Sequence, residues 1–187
     1  SSSPMLQQGA LVDRGLISKF LGEYSSILKM FLPDVTVGLK GKWEYNAIYK
    51  TVIHELSHSS HYMQVGNNYW NTLIDYTLRS FLTAGFDPYG SGSDSARGYC
   101  EVAEMWAYYN ETRFYRDRYP SDERSFGTGY WFKPQIFFFM DERGITRYKI
   151  FRALTDDIHD AGMLKEKLLS MYPECKTIIN QAFERYR

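Results

Sequence analysis

The sequence has little cysteine, no excess of either charge and no long apolar run, and each absence excludes a class of protein. The two cysteines, Cys100 and Cys175, have no C-x-x-C partner, which excludes a zinc ribbon and leaves open one disulfide or two thiols. The 22 basic and 22 acidic side chains cancel, so we expect no nucleic-acid or anionic-membrane partner. No apolar stretch is long enough to span a bilayer.

Length and the first residues bound the organisation of the chain. The 187 residues suit a single domain over residues 1–187 with one apolar core. No signal peptide begins the sequence, but the serine-rich start at residues 1–4 is not typical of a native N-terminus. The chain is therefore compatible with a secreted or cell-envelope protein whose export signal has been removed. The sequence decides neither the compartment nor the oligomeric state.

The apolar spacing predicts a mainly α protein, α+β at most. Residues 127–140 are apolar and aromatic, and we interpret them as a buried helix. Only residues 34–43 have strand-like sequence. The glycine-rich stretch 90–98 is either a plain surface loop or a flap over a site. The other predicted helices span residues 11–31, 46–64, 69–84, 99–119, 147–154, 163–171 and 176–186.

An H-E-x-x-H motif lies in the predicted helix over residues 46–64. His54 and His58 are one turn apart on one face, so both imidazoles can reach a single metal ion, and Glu55 can face a metal-bound water. The alternative is an ordinary amphipathic helix with a polar seam. The uncharged flanks of the motif favour the metal site, as does the concentration of three of the four histidines in this helix.

A catalytic zinc ion takes three protein ligands and a water, so a third ligand is required. His61 follows on the same helix, but three ligands from one straight helix cannot surround an ion. We therefore expect it beside the ligands or in the cleft. The position ten residues after His54, where a metzincin has its third histidine, is occupied by Gln64. His159, next to Asp160, is expected to be a hydrogen-bonded surface histidine.

The acidic candidates for the third ligand are Glu101 and Glu104. They are three residues apart on one face of the predicted helix over residues 99–119. A helix packed against the motif helix can bring one of them to the metal. The other would then be a charge favoured by the helix dipole, or a carboxylate that orients a ligand histidine.

At this point the sequence resembles the gluzincin metallopeptidases, whose motif helix is followed by a helix carrying a glutamate ligand. In several branches that glutamate opens a Glu-x-aromatic-Ala pattern, which Glu104-Met105-Trp106-Ala107 matches. The spacing from His58 to Glu104 is similar to that of the anthrax-lethal-factor-like branch. The resemblance covers residues 47–111 and departs at Tyr108, where an acidic residue often follows. It implies a zincin-like catalytic domain with a minimal N-terminal β element and Glu104 as third zinc ligand.

Two histidines and a glutamate leave one position open on the zinc ion, which lowers the pKa of a bound water to about 7. Glu55 would accept the proton of that water and pass it to the leaving amine. An oxyanion donor is expected as well, and Tyr99 is a candidate because it lies close to the ligand helix. The expected function is therefore zinc-dependent hydrolysis of a peptide or protein substrate, with an endopeptidase favoured.

The competing interpretation is a catalytically silent zincin-like module that binds or scaffolds other molecules. Such a module would normally have lost the glutamate of the motif. The presence of Glu55 therefore favours an enzyme. Substrate length and side-chain preference cannot be predicted, because only residues 34–43 offer a strand that could line a cleft.

Overall fold

The computed structural model describes residues 45–83, 87, 89–90, 92 and 95–186. The predicted helix over residues 11–31 and the strand-like residues 34–43 lie outside this part of the chain, as does the minimal N-terminal β element. The described part is mainly helical, as predicted, and contains no strand. No helix in it is long and apolar enough to cross a membrane.

Six α-helices and one 3-10 turn make up the described part of the chain. We number the helices in chain order: α1 Tyr45–Thr83, α2 Arg97–Arg118, α3 Gln135–Asp141, α4 Arg147–Ala153, α5 Ala161–Met171 and α6 Lys176–Arg185, with the 3-10 turn Pro173–Cys175 before α6. Most predicted helices are found within two residues of these bounds. The starts of α4 and α5 are capped, because the side chains of Thr146 and Asp160 accept hydrogen bonds from backbone N–H groups of their first turns.

Helix α1 is interrupted at Gly66, where the sequence predicts a break between two helices. Gly66 has φ 76° and ψ −174°, which is non-helical backbone. A side chain there would meet no neighbour within 4 Å, so backbone conformation is the reason for glycine at this position. Helix α1 therefore consists of two helical segments, one on each side of Gly66, and the H-E-x-x-H motif lies in the first.

The prediction of a helix over residues 127–140 is wrong for its first half. Residues 127–134 form turns and bends, and only α3, which starts at Gln135, is helical. Gly127 has φ 72°, and a Cβ there would lie 2.4 Å from the ring of Tyr108. A helix cannot contain that backbone conformation, although Phe132 and Phe137 are fully buried on either side of the boundary. The sequence pattern therefore marked burial correctly but not local conformation.

Two groups of buried side chains hold the helices together. One fills the contact between α1 and α2, with Tyr69, Trp70 and Ala103 among its members. The other lies between α2 and the C-terminal helices and includes Met105 and Leu164. Helix α2 contributes to both, so it is fixed from two sides. This helix carries both acidic ligand candidates.

Candidate metal centre

The two histidines of the motif face each other across one turn of α1. Both are buried, and their Nε2 atoms are 3.1 Å apart. The ring centroids are separated by 4.7 Å in an edge-on arrangement. Two imidazole nitrogens directed at the same point can bind one ion, as the four-residue spacing predicts.

Helix α2 brings Glu104 to the same point. Its Oε1 is 3.3 Å from Nε2 of His58, and its Oε2 is 3.4 Å from Nε2 of His54. The three side chains are buried, and their candidate ligand atoms all lie within 4.8 Å of one another. Glu104 Oε2 and Nδ1 of His58 are buried without a hydrogen-bond partner in the described part of the chain. A buried polar atom without a partner is costly, so the cluster suits an ion that would satisfy Oε2.

A second carboxylate, Glu111, orients one of the histidines. Glu111 is buried, and its Oε2 is 2.9 Å from Nδ1 of His54. Because an ionised carboxylate can only accept, His54 donates its Nδ1–H to Glu111, which leaves Nε2 as the ring nitrogen that could bind a metal ion. The other oxygen, Oε1, is 3.7 Å from the ammonium group of Lys50. The sequence reasoning missed Glu111, although it lies seven residues after Glu104 and so on the same helical face.

The two carboxylates make this point strongly favourable for positive charge. Burial lowers the pKa of His54, but the hydrogen bonds and charges of Glu104 and Glu111 outweigh it and raise the pKa to about 10. Burial raises the pKa of Glu104, but the charge of His58 and the hydrogen bonds from both histidines lower it to about 2. Without an ion, His54 is therefore protonated and Glu104 ionised at neutral pH, so a metal ion would have to replace the proton on Nε2 of His54.

The predicted general base and the predicted oxyanion donor are both found among the described residues. Glu55, the predicted general base, is buried on α1 next to His54 in sequence. The ring of Tyr99, the predicted oxyanion donor, stacks on His159 with centroids 4.8 Å apart and contacts Tyr69 edge-on. The hydroxyl of Tyr69 donates to the backbone carbonyl of Tyr99. His159, predicted to be a hydrogen-bonded surface histidine, is half-buried and stacks on Tyr99.

Two other tyrosines lie closer to the ligands. The ring of Tyr108 is 4.5 Å from the ring of His54, and its hydroxyl is 3.1 Å from the hydroxyl of Tyr89. Burial and then the charge of Glu104 raise the pKa of both hydroxyls, so both keep their protons. Tyr108 occupies the position where the resemblance expects an acidic residue. Tyr108 follows Glu104 by four residues and so lies on the same face of α2, and this spacing could have identified it from the sequence.

Glu101, the other acidic candidate, does not join the cluster. Its Oε2 accepts a hydrogen bond of 3.0 Å from the backbone N–H of Ala161, the first residue of α5. Burial raises the pKa of its carboxyl group. It lies outside the first turn of α2, so it is not a charge at the N-terminus of its own helix; instead its carboxylate binds the N-terminus of α5. Nearby, a Cβ on Gly98 would be 2.0 Å from the carbonyl oxygen of His159, so this end of α2 packs tightly on the loop before α5.

Two further residues of the motif helix serve its packing. His61 is fully buried against the rings of Tyr69 and Trp70, and neither of its ring nitrogens has a hydrogen-bond partner in the described part of the chain. Burial and then the charge of His58 lower the pKa of His61 to about 3, so the ring is neutral. Gln64 donates hydrogen bonds of 2.6 Å to the carbonyls of Phe151 and Leu154. This position ties α1 to the end of α4.

Tyr89, just before the glycine-rich stretch 90–98, and Gly92 within it are hydrogen-bonded to neighbouring side chains. The carbonyl of Tyr89 accepts hydrogen bonds from the hydroxyl of Tyr76 and from Nε1 of Trp131. Arg97 donates to the carbonyl of Gly92.

The two cysteines are free: Cys100 is buried and Cys175 is half-buried. The possibility of a disulfide between them is therefore excluded.

The evidence for function rests on this geometry. Comparison of the chain with protein-family models, with curated proteins and with solved structures finds no match. The function must therefore be inferred from the donor set of the cluster, from its spacing and from the residues around it.

Proposed function

We propose that the chain is a zinc-dependent peptidase with a zincin-like catalytic domain, in which His54, His58 and Glu104 bind the ion. Two imidazoles and one carboxylate are a donor set that catalytic zinc sites use. The resemblance of residues 54–58 and 104–107 to gluzincins supports the same assignment. An endopeptidase acting on peptides or proteins is the preferred form of this activity.

The spacing of the ligand atoms carries the proposal. Ligands at 2.0–2.1 Å from a tetrahedral ion are separated from one another by about 3.3–3.4 Å. The two histidine Nε2 atoms are 3.1 Å apart, and they lie 3.3 and 3.4 Å from the two different carboxylate oxygens of Glu104. With one atom from each side chain, the candidate ligand atoms lie within 4.8 Å of one another, so three buried donors from two helices converge on a point where one ion could be bound. An ordinary polar seam on an amphipathic helix would not require a buried glutamate from a second helix at that point.

A zinc ion held by His54, His58 and Glu104 would supply Lewis acidity and lower the pKa of a bound water. Glu55 accepts the proton of the attacking water and delivers it to the leaving amine. Glu111 holds His54 in the tautomer that presents Nε2. Tyr108, which keeps its proton and lies against His54, is a better placed donor to the developing oxyanion than Tyr99.

The experiment that tests this proposal measures metal and hydrolysis together. The purified chain should contain one zinc per molecule by plasma mass spectrometry. It should cleave members of a peptide library, and a zinc chelator should abolish that cleavage. Glu55→Gln is the matched control, because it retains the metal ligands and loses the base. A chain with one zinc that cleaves no peptide would favour the binding or scaffolding module instead, and a chain that takes up no metal would refute both.

A further inference from the structure

A groove with a volume of about 550 Å³, open to solvent, lies at the break in α1. Residues Val65 to Tyr69 and Thr72 line it from α1, Tyr99 lines it from α2, and Asp156 lines it from the loop between α4 and α5. Sites for small ligands generally have volumes of about 300–1,000 Å³ and combine apolar walls with a few polar groups. The groove has this size and this kind of lining, and none of its residues belongs to the metal centre.

Two tyrosine rings form a fixed wall of the groove. The ring centroids of Tyr69 and Tyr99 are 4.8 Å apart in an edge-on arrangement, and the hydroxyl of Tyr69 donates a hydrogen bond of 3.3 Å to the backbone carbonyl of Tyr99. Tyr69 is buried, and the ring of Tyr99 also stacks on His159 with an interplanar angle of 10°. These contacts hold both rings in place before a ligand binds. The face of a tyrosine ring attracts a cation and stacks on a planar guanidinium group.

Asp156 is the only charged residue in the lining of the groove. Its carboxylate is exposed and makes no hydrogen bond or ion pair with another residue of the described part of the chain. The neighbouring acidic side chains of the same loop have partners: Asp157 pairs with Lys167, and Asp160 accepts a hydrogen bond from the N–H of Met163. An unpaired carboxylate in a groove without a basic lining residue favours a positively charged ligand.

The charges near the groove add to this preference. Burial is the main cause of the raised pKa of the Tyr69 hydroxyl, but the negative charges of Glu101 and Asp160 raise it further. Arg97 is the basic residue at the start of α2, and its guanidinium donates to the carbonyl of Gly92 and does not line the groove. The charges that act on this part of the surface are therefore mainly negative, and they attract a cation.

We propose that this groove binds an organic cation that carries an alkylguanidinium or alkylammonium group. The charged head pairs with Asp156, and the apolar stem lies along the rings of Tyr69 and Tyr99. The exposed amides of Asn67 and Asn68 offer hydrogen bonds to the rest of the ligand. This chemistry fits a free amine and a lysine or arginine side chain of a polypeptide. The inference goes beyond the proposed peptidase function and does not depend on it, because no metal ligand and no proposed base takes part.

An NMR titration of the full chain with two guanidinium probes tests the proposal. Agmatine represents the free amine, and N-acetyl-arginine amide presents the same head on a peptide backbone. Both should bind with a Kd of about 1 mM or tighter, as expected for ligands of this size, and should shift the backbone amide signals of residues 65–72, 99 and 156. N-acetyl-citrulline amide is the matched neutral probe, because its urea group resembles the guanidinium in shape. It should bind at least about fivefold more weakly than N-acetyl-arginine amide.

Two neighbouring carboxylates supply the matched variants. Asp156→Asn removes the charge from the groove and should weaken the binding of both guanidinium probes about fivefold. Asp157→Asn removes the same charge from a side chain that pairs with Lys167 and does not line the groove, so the Kd should stay within about twofold of that of the unmodified chain. Both side chains are exposed, so both variants should fold, and their NMR spectra report this directly.

Three results would overturn the proposal. They are the absence of saturable shifts at residues 65–72, equal affinity for the arginine and citrulline probes, and equal losses of affinity in Asp156→Asn and Asp157→Asn. The two guanidinium probes distinguish the sources of the ligand. Tighter binding of N-acetyl-arginine amide would assign the groove to a polypeptide side chain, and tighter binding of agmatine would assign it to a free amine.

Discussion

Replacement of Glu111 by glutamine should weaken zinc binding although Glu111 is not itself a ligand. The carboxylate accepts a buried hydrogen bond of 2.9 Å from Nδ1 of His54, which sets the tautomer and direction of that ring. Glutamine keeps an oxygen that can accept the same bond but removes the negative charge. The imidazole of His54 then becomes a less basic ligand, while the shape of the site is retained.

The expected loss can be estimated from the kind of contact that is changed. Loss of a carboxylate that orients a metal-bound histidine typically lowers metal affinity about 10–100-fold, or about 1.4–2.7 kcal/mol. Glu111→Ala should cost more, because it also leaves the buried Nδ1–H without an acceptor, at about 1–3 kcal/mol. The affinities should therefore fall in the order glutamate, glutamine, alanine. Competition for zinc against a chromophoric chelator at pH 7 measures each dissociation constant.

The matched control is Glu101→Gln on the same helix. Glu101 is partly buried like a site residue, but its carboxylate binds the backbone N–H of Ala161. Its replacement can cost stability but should leave zinc affinity within about twofold of the unmodified chain. Equal affinity of Glu111→Gln and the unmodified chain would refute the orienting role. An equal loss in both glutamine variants would assign the effect to general destabilisation of α2.

The remaining predictions concern the ligands, the base and a buried histidine. His58→Ala and Glu104→Ala should each lose stoichiometric zinc by metal analysis, whereas Glu101→Ala should keep it; the reverse order for the two glutamates would show that Glu101 is the ligand. Glu55→Gln should bind zinc normally while peptide hydrolysis falls by about two to four orders of magnitude, and hydrolysis at the unmodified rate would remove the proposed base. The pKa of His61 is lowered from 6.5 to about 3, so its contribution to stability is full above pH 6.5 and is lost as the pH falls towards 3. The largest possible loss is about 5 kcal/mol. In urea unfolding with a chelator present, His61→Phe should lose less stability between pH 7 and pH 4.5 than the unmodified chain. Equal losses of stability in the two proteins would contradict this role of His61.

Local sequence spacing was sufficient for the features that depend on one helix. The four-residue spacing of His54 and His58 places them on one face wherever the helix packs, and their Nε2 atoms are 3.1 Å apart. The break at Gly66 follows from the backbone freedom of one residue. The mainly helical class follows from apolar periodicity over many residues. Each of these properties is set by neighbours within one or two turns.

Contacts between distant parts of the chain decided the rest. Apolar content at residues 127–140 predicted burial, but residues 127–134 form turns and bends, with Gly127 at positive φ against the ring of Tyr108. Tyr99 lies in the first turn of α2, the helix that carries Glu104, yet its ring packs on His159 from the loop before α5. These contacts join residues that are far apart in the sequence, so local sequence patterns cannot predict them.

The same distinction applies to the residues of the candidate metal centre. The sequence by itself determined that two imidazoles share a face of α1, and it supplied two glutamates three residues apart on another helix. Only the packing of α2 between α1 and the C-terminal helices brings Glu104 to the histidines and sends Glu101 to Ala161. The same rotation of α2 sets Glu111 against His54. The angle about a helix axis is fixed by side-chain packing on all its sides, so it belongs to the tertiary structure.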